Sequence, residues 1–216
     1  ALPAETVTSI VDWVSDRCLT SATVGDLEMQ AGIITDAVTV MARTDVDYIK
    51  VGLFADPQLP ACLDSLKDKP AAIEQPLIAV LFADQAVDLL LLPAIKQAGF
   101  SGVMIDTATK NGQGLLDHWS EATIKAFISQ AQQLGFLCGL AGALRIEDID
   151  SLESLGADYL GFRSALCDKR QRKGGLNPLL ARTVHQKLRC CENPQILQTD
   201  ADYSCSNLRK PASVCG

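Results

Sequence analysis

The feature that most constrains the fold is a strict alternation, repeated six times, of a short apolar segment with a segment of helical periodicity. Such alternation means parallel strands joined by crossover helices, hence an α/β protein. Pro76-Leu-Ile-Ala-Val-Leu-Phe82 makes the case most sharply. A strand that is apolar at nearly every position must be covered on both faces, and such sheets are parallel. The other strand segments are Cys18–Val24, Asp47–Leu53, Gly102–Asp106, Phe136–Gly142 and Asp158–Ser164.

The intervening stretches carry apolar residues at i, i+3, i+4 and i+7. Val7, Ile10, Val11 and Val14 form one stripe; Ile34, Ala37, Val38 and Met41 a second; Leu59, Cys62, Leu63 and Leu66 a third. Leu89–Leu92 reads as buried core, and Pro93 opens a short helix that stops at Gly99. Ser120 is placed to cap a helix striped by Ile124, Phe127, Ile128, Ala131 and Leu134, and Gly135 to close it. A short helix around Ile149 and Leu152 and a longer one over Leu176–Leu188 complete the pattern.

An eight-fold (βα) barrel takes ~250 residues, or ~31 per unit. Residues 1–188 hold a leading helix and six units, so two units are expected to be missing at the front. The alternatives are an open doubly wound sheet and a (βα)8 TIM-type barrel without its first two units; a start at Ala1 rather than Met favours the barrel. Residues 1–188 are therefore expected to be one partial barrel. Residues 189–216 read as a polar, cysteine-containing tail whose composition is compatible with disorder.

A net charge of −7 argues against general affinity for nucleic acid or an anionic membrane. No apolar run approaches the ~20 residues of a membrane span. With no signal peptide, the eight cysteines are expected to be reduced and the setting cytoplasmic. Cys18, Cys62, Cys138 and Cys167 stand in apolar stretches, as core thiols do. Cys190, Cys191, Cys205 and Cys215 show no C-x-x-C pair, and His118 and His185 have no ligand at a metal spacing, so neither metal nor cofactor is expected.

Three strand ends carry the candidate chemistry. Gly102-Val-Met-Ile-Asp106 stops at an acid, with Lys110 in the loop above it. The carboxyl end of a parallel sheet is where ligands sit, and an acid beside an amine suits proton transfer or imine chemistry on a carbonyl. A salt-bridged surface pair is the alternative. Lys50 lies mid-strand, sharing a face with Tyr48 and Gly52 while Val51 and Leu53 face the helices. A lysine there is rarely unpaired, and desolvation would make it a base or an imine former; a structural ion pair with Asp106 is the alternative. On the last strand Tyr159, Gly161 and Arg163 share a face. Arg163 with Ser164, and the small residues Gly142 and Ala143 ending the preceding strand, suit a phosphate held by guanidinium and backbone amides.

Several strings together resemble one family, the (5-formylfuran-3-yl)methyl phosphate synthases of methanofuran biosynthesis. They are Ser21-Ala-Thr-Val-Gly-Asp26, Tyr48-Ile-Lys-Val-Gly-Leu53, Met104-Ile-Asp-Thr-Ala-Thr-Lys-Asn-Gly112, Leu140-Ala-Gly-Ala-Leu-Arg145 and Gly161-Phe-Arg-Ser-Ala-Leu-Cys167. The resemblance implies a (βα)8 barrel that joins two molecules of glyceraldehyde 3-phosphate into a phosphorylated furan aldehyde, losing one phosphate and water. It implies aldolase-like lyase chemistry through a lysine imine, without a metal. By resemblance Lys50 is the proton-accepting lysine, Asp106 an active-site acid, Lys110 a second active-site lysine, and Gly142, Ala143 and Arg163 the phosphate end.

The resemblance also places the imine-forming lysine in an Asp-x-Lys motif upstream of Ala1, and a serine in many members where this chain has Ala143. A chain without that strand is expected to be aggregation-prone and inactive unless the segment is supplied. The expected partner is a small-molecule triose phosphate, with neither nucleic acid nor membrane, and a homo-oligomer is compatible with the sequence. A non-catalytic phosphate-ligand-binding α/β domain is the alternative function, and another phosphate-binding barrel of sugar or cofactor metabolism a third.

Overall fold

A computed structural model describes residues 1–67, 73–109, 111–171 and 174–192. Six parallel strands form one sheet in the order in which they occur along the chain: β1 (Ser21–Thr23), β2 (Tyr48–Gly52), β3 (Leu77–Phe82), β4 (Gly102–Asp106), β5 (Leu137–Leu140) and β6 (Tyr159–Leu160). Sequential order with helical crossovers is the winding of a (βα) barrel, and this is six units of that fold rather than a doubly wound sheet. The helices are α1 (Ala4–Val14), α2 (Ala31–Ala42), α3 (Leu59–Leu66), α4 (Leu92–Gln97), α5 (Leu115–His118), α6 (Glu121–Gln133), α7 (Ile149–Ser154) and α8 (Pro178–Glu192). None of the described helices is long and apolar enough to cross a membrane.

Side chains leave the sheet in two directions, each with its own core. Outward, Ile49, Val51, Ala79, Val103, Ile105, Cys138 and Leu140 meet the helix stripes in one large cluster. Ile34, Leu63, Ile124 and Phe127 are its anchors from the helices, each almost wholly buried. Burying such a side chain stabilises the fold by ~1.5–3 kcal/mol. Inward, Ile78, Val80, Phe82, Met104 and Ala141 form a second, smaller cluster, with Tyr48, Phe54 and Tyr159 packed against it. All six residues of β3 are buried, as a strand sandwiched between two apolar layers requires.

The helix ends follow their local chemistry. The Ser120 hydroxyl accepts the N–H of Thr123 at the start of α6, and Gly135 beyond its end takes φ +66. Pro60 sits in the first turn of α3, where its missing N–H removes no helical bond.

Several expectations needed correction. Leu89–Leu92 is not uniformly core: Leu92 is buried, but Leu90 is 84% exposed on a 3₁₀ turn capped by Asp88. Ile10 also leaves its stripe and is exposed, as is Cys18, whereas Cys62, Cys138 and Cys167 are buried thiols. The last strand ends at Leu160 instead of Ser164, because the backbone turns into a 3₁₀ segment at Ser164–Leu166. The two outer strands, β1 and β6, have only three and two residues, which limits the unpaired backbone they present. Residues 193–216, the greater part of the expected tail, lie outside the described residues; α8 runs on to Glu192.

Candidate functional site

Strand pleating brings Lys50 to the inner face of the sheet. Its neighbours in register are Thr23 on β1 and Ile78 on β3, and Gly52 follows it on the same face. A Cβ on Gly52 would lie 3.2 Å from the Phe54 ring and 3.3 Å from that of Phe82. The bare glycine therefore leaves room for these rings to stack, with centroids 4.6 Å apart. Phe54, Val80, Phe82 and Met104 line a cleft with Lys50, Asp26 and Asp106. In that apolar setting desolvation pushes the Lys50 pKa below its ordinary value, and the negative charge of Asp106 offsets only part of the shift.

Asp106 closes β4, paired in register with Phe82, and its carboxylate accepts the N–H of Thr107 at 2.7 Å. It lines a second cleft of about 530 Å³ together with Thr107, Gly142, Ala143, Arg163 and Ser164. The cleft above Lys50 is of similar size, about 490 Å³, and Asp106 and Thr107 belong to both. One carboxylate thus stands in the wall between an amine and a group of cations.

The second cleft is built on a tight junction of two loops. Gly142 and Ala143 both adopt left-handed backbone, φ +97 and +47. A Cβ on Gly142 would lie 3.1 Å from the Thr107 methyl and 3.2 Å from its backbone nitrogen. The Gly142 carbonyl accepts the N–H of Leu115 at 2.8 Å, tying the turn after β5 to the start of α5. Ala143 has no such steric freedom, and a side chain in this region costs roughly 1–2 kcal/mol.

The structure thus brings Lys50 and Asp106 to one rim, and Asp106, Gly142, Ala143, Arg163 and Ser164 to one cleft. Arg163 reaches it although it is no longer part of a strand, because Gly161 still donates to the Leu140 carbonyl at 2.7 Å and carries the chain along β5. Lys110 lies outside the described residues.

Sequence reasoning missed Asp84. Like Asp106, it is an acid just beyond a strand's end, and that was the available signal. Its two carboxylate oxygens accept the N–H groups of Ala108 and Thr109, both at 2.7 Å, so it fixes the loop that follows Asp106. Burial alone would raise its pKa, but these bonds and the Thr109 hydroxyl outweigh burial and hold it at about 2. Asp84→Ala is expected to lower stability at pH 7 by about 1–2 kcal/mol, the lower end reflecting screening by solvent. Because the folded pKa lies below the ordinary 3.8, this contribution is present above pH 3.8 and lost as pH falls toward 2. The gap between the melting curves of the two proteins should narrow below pH 3.8 and close as pH falls through 2; a gap that stays constant from pH 3.8 to 2 would exclude the carboxylate as its source. Also missed were Asp26, facing the Lys50 cleft, and Lys169 and Arg170, which line the cationic one.

Comparison with known proteins establishes the family and agrees with the fold. The 4-HFC-P synthase family model matches residues 1–185. The chain belongs to that family. It is 35% identical over 167 residues to the (5-formylfuran-3-yl)methyl phosphate synthase of Methanococcus maripaludis, covering 73% of this chain and 71% of that protein. The synthase of the same name from Methanopyrus kandleri is 31% identical over 193 residues, covering 84% and 81%. Among solved structures, KGPDC from Streptococcus mutans superposes with a TM-score of 0.62 at 13% identity, covering 88% of this chain and 80% of that one. Phosphoribosyl anthranilate isomerase from Thermus thermophilus gives 0.60 at 12% identity, covering 88% and 81%. At such identities these structures speak for the fold alone, and that fold is the (βα) barrel. The family resemblance drawn from the sequence motifs is confirmed.

Proposed function

We propose that this family member is an aldolase-like lyase that condenses two molecules of glyceraldehyde 3-phosphate to (5-formylfuran-3-yl)methyl phosphate, releasing phosphate and water. The observation that carries this reading is the place of Asp106 in the wall shared by two clefts, one holding Lys50 and the other the phosphate-binding candidates. Family membership supports the product, through the names its relatives bear, while the triose phosphate substrate is what the sequence resemblance implies.

In this reading Lys50 is the base. A lowered pKa raises its neutral fraction near pH 7, and only a neutral amine can take the proton next to a carbonyl. Asp106 then passes protons to the oxygens that leave as water. Its position bordering both clefts supports that role, since an intermediate spanning them would lie beside it. Arg163, Ser164 and the backbone at Gly142 and Ala143 hold one substrate phosphate, fixing the carbon chain relative to Lys50. By resemblance Lys110 is a second active-site lysine.

The test is incubation with D-glyceraldehyde 3-phosphate, with the furan aldehyde followed by absorbance and mass and any lysine imine trapped by borohydride. With the upstream Asp-x-Lys segment supplied, product formation is expected, and Asp106→Asn is expected to slow it by ~10²–10⁴-fold, the usual worth of a positioned acid or base. Phosphate binding with neither product nor trapped adduct would instead indicate a binding domain.

A further inference from the structure

The segment after β6 carries two cations into the cleft that holds Gly142 and Ala143, and the backbone holds them in an unfavourable shape. Lys169 and Arg170 are consecutive residues in the left-handed region, φ +51 and +56. Neither is a glycine, asparagine or aspartate, the residues that visit this region routinely. The shape is held from several sides. Arg170 donates its N–H to the Cys167 carbonyl at 3.0 Å, and Gln171 donates to that of Asp168 at 3.0 Å. Asn177 donates its side-chain amide to the Asp168 carboxylate at 2.6 Å and its backbone N–H to the Leu166 carbonyl at 2.7 Å. Buried Cys167 bridges antiparallel to Leu176, closing the loop.

The Arg170 guanidinium in turn donates to the Ala143 carbonyl at 3.3 Å. It therefore lies against the left-handed turn that ends the preceding strand. A connection from β6 to α8 has no need of a strained cationic pair. Strain held this firmly, at the rim of a cleft and with charged side chains lining it, is explained when those side chains grip a ligand. The charge is also local: the chain carries −7 overall, yet Arg163, Lys169 and Arg170 share one cleft whose single acid, among the described residues, is Asp106. Three cations so placed attract and select an anion against the field of the whole protein.

We propose that Lys169 and Arg170 are phosphate-binding residues of this cleft. A phosphomonoester held there meets Arg170 and Arg163 as planar, two-pronged donors and Lys169 as a point charge. The assignment rests on the phosphate reading of the cleft given above, and it adds a specificity element supplied by the segment after β6.

The experiment is calorimetric titration of the whole chain at low salt with inorganic phosphate and with D-glyceraldehyde 3-phosphate. The double variant Lys169→Gln/Arg170→Gln is expected to bind both at least 10-fold more weakly, and with a shallower salt dependence. Lys125→Gln, a surface change on α6, is expected to bind as wild type does. A second double variant, Lys169→Gly/Arg170→Gly, relieves the left-handed strain. It is expected to lose phosphate affinity equally while its melting temperature stays level or rises, which a purely structural pair would not allow. If both double variants bind phosphate normally while Arg163→Gln does not, the proposal is overturned and the phosphate reading stands. If the wild-type chain binds no phosphate, both fall together.

Discussion

Replacing Lys50 by methionine is expected to abolish turnover and at the same time to leave the protein more stable than wild type. Lys50 sits on the inner face of β2, beside the stacked rings of Phe54 and Phe82. Two effects compete there. Burial disfavours its charge and the nearby Asp106 favours it, and burial is the larger of the two. The net effect is a native state that holds an ammonium ion at a cost. Methionine keeps the length and apolar stem and removes the charge. The expected gain is about 0.5–2 kcal/mol, the scale of other single stabilising changes. At this chain length that raises the melting temperature by ~1–8 °C. Turnover, without the proposed base, should fall by at least ~10²-fold.

The pH dependence gives an independent check. Because the folded pKa lies below 10.5, the native amine loses its proton first as pH rises. Between the folded value and 10.5 the unfolded chain binds more protons than the native one, so wild-type stability climbs through that window relative to the variant. Below the window the penalty is constant and the variant leads. Thermal melts of both proteins from pH 7 to 10.5 would show the gap closing. A methionine variant less stable than wild type at pH 7 would mean that attraction to Asp106 outweighs burial, and Lys50 would then be a structural ion-pair partner.

The second large effect is expected at Gly102. A Cβ there would stand 2.6 Å from the Ile78 Cδ1 and 2.7 Å from the Leu137 carbonyl oxygen. Ile78 is buried in the inner cluster, and Leu137 is the residue that pairs with Gly102 across β4 and β5. The isoleucine methyl has few places to go, and the carbonyl cannot retreat unless the two strands part. Gly102→Ala is therefore expected to cost about 3 kcal/mol, at the upper end of overpacking effects. The melting temperature should drop by ~6–12 °C. Activity should fall with it, because β4 ends at Asp106 and any separation from β5 displaces the wall between the clefts. An alanine variant melting within 2 °C of wild type would show that the strands part easily, contrary to this view.

Both predictions depend on a face assignment, and the faces were legible without a structure. Period-2 alternation is a local property of the strand backbone, so placing Tyr48, Lys50 and Gly52 together, or Gly102, Met104 and Asp106, needed no knowledge of neighbours. The same holds for the helix stripes at Ile34, Val38 and Met41 and at Ile124, Phe127 and Ile128, which are buried as expected. Leu90 shows where such reasoning ends. Four leucines in a row cannot all face one core when the chain makes a 3₁₀ turn, and the sequence gives no sign of which will be left outside.

The sequence by itself therefore determined the fold class, the faces of the strands, and the candidate residues Lys50, Asp106 and Arg163, because these follow from short-range periodicity and from family motifs. Only the tertiary structure decided how the residues are shared between sites. Asp84 grips the loop at Ala108 and Thr109 from a neighbouring strand end, Asp106 divides two clefts, and Arg170 rests on the turn at Ala143. Each contact joins residues far apart in the chain, and its geometry is set by strand register and loop packing, quantities that no local pattern of residues encodes.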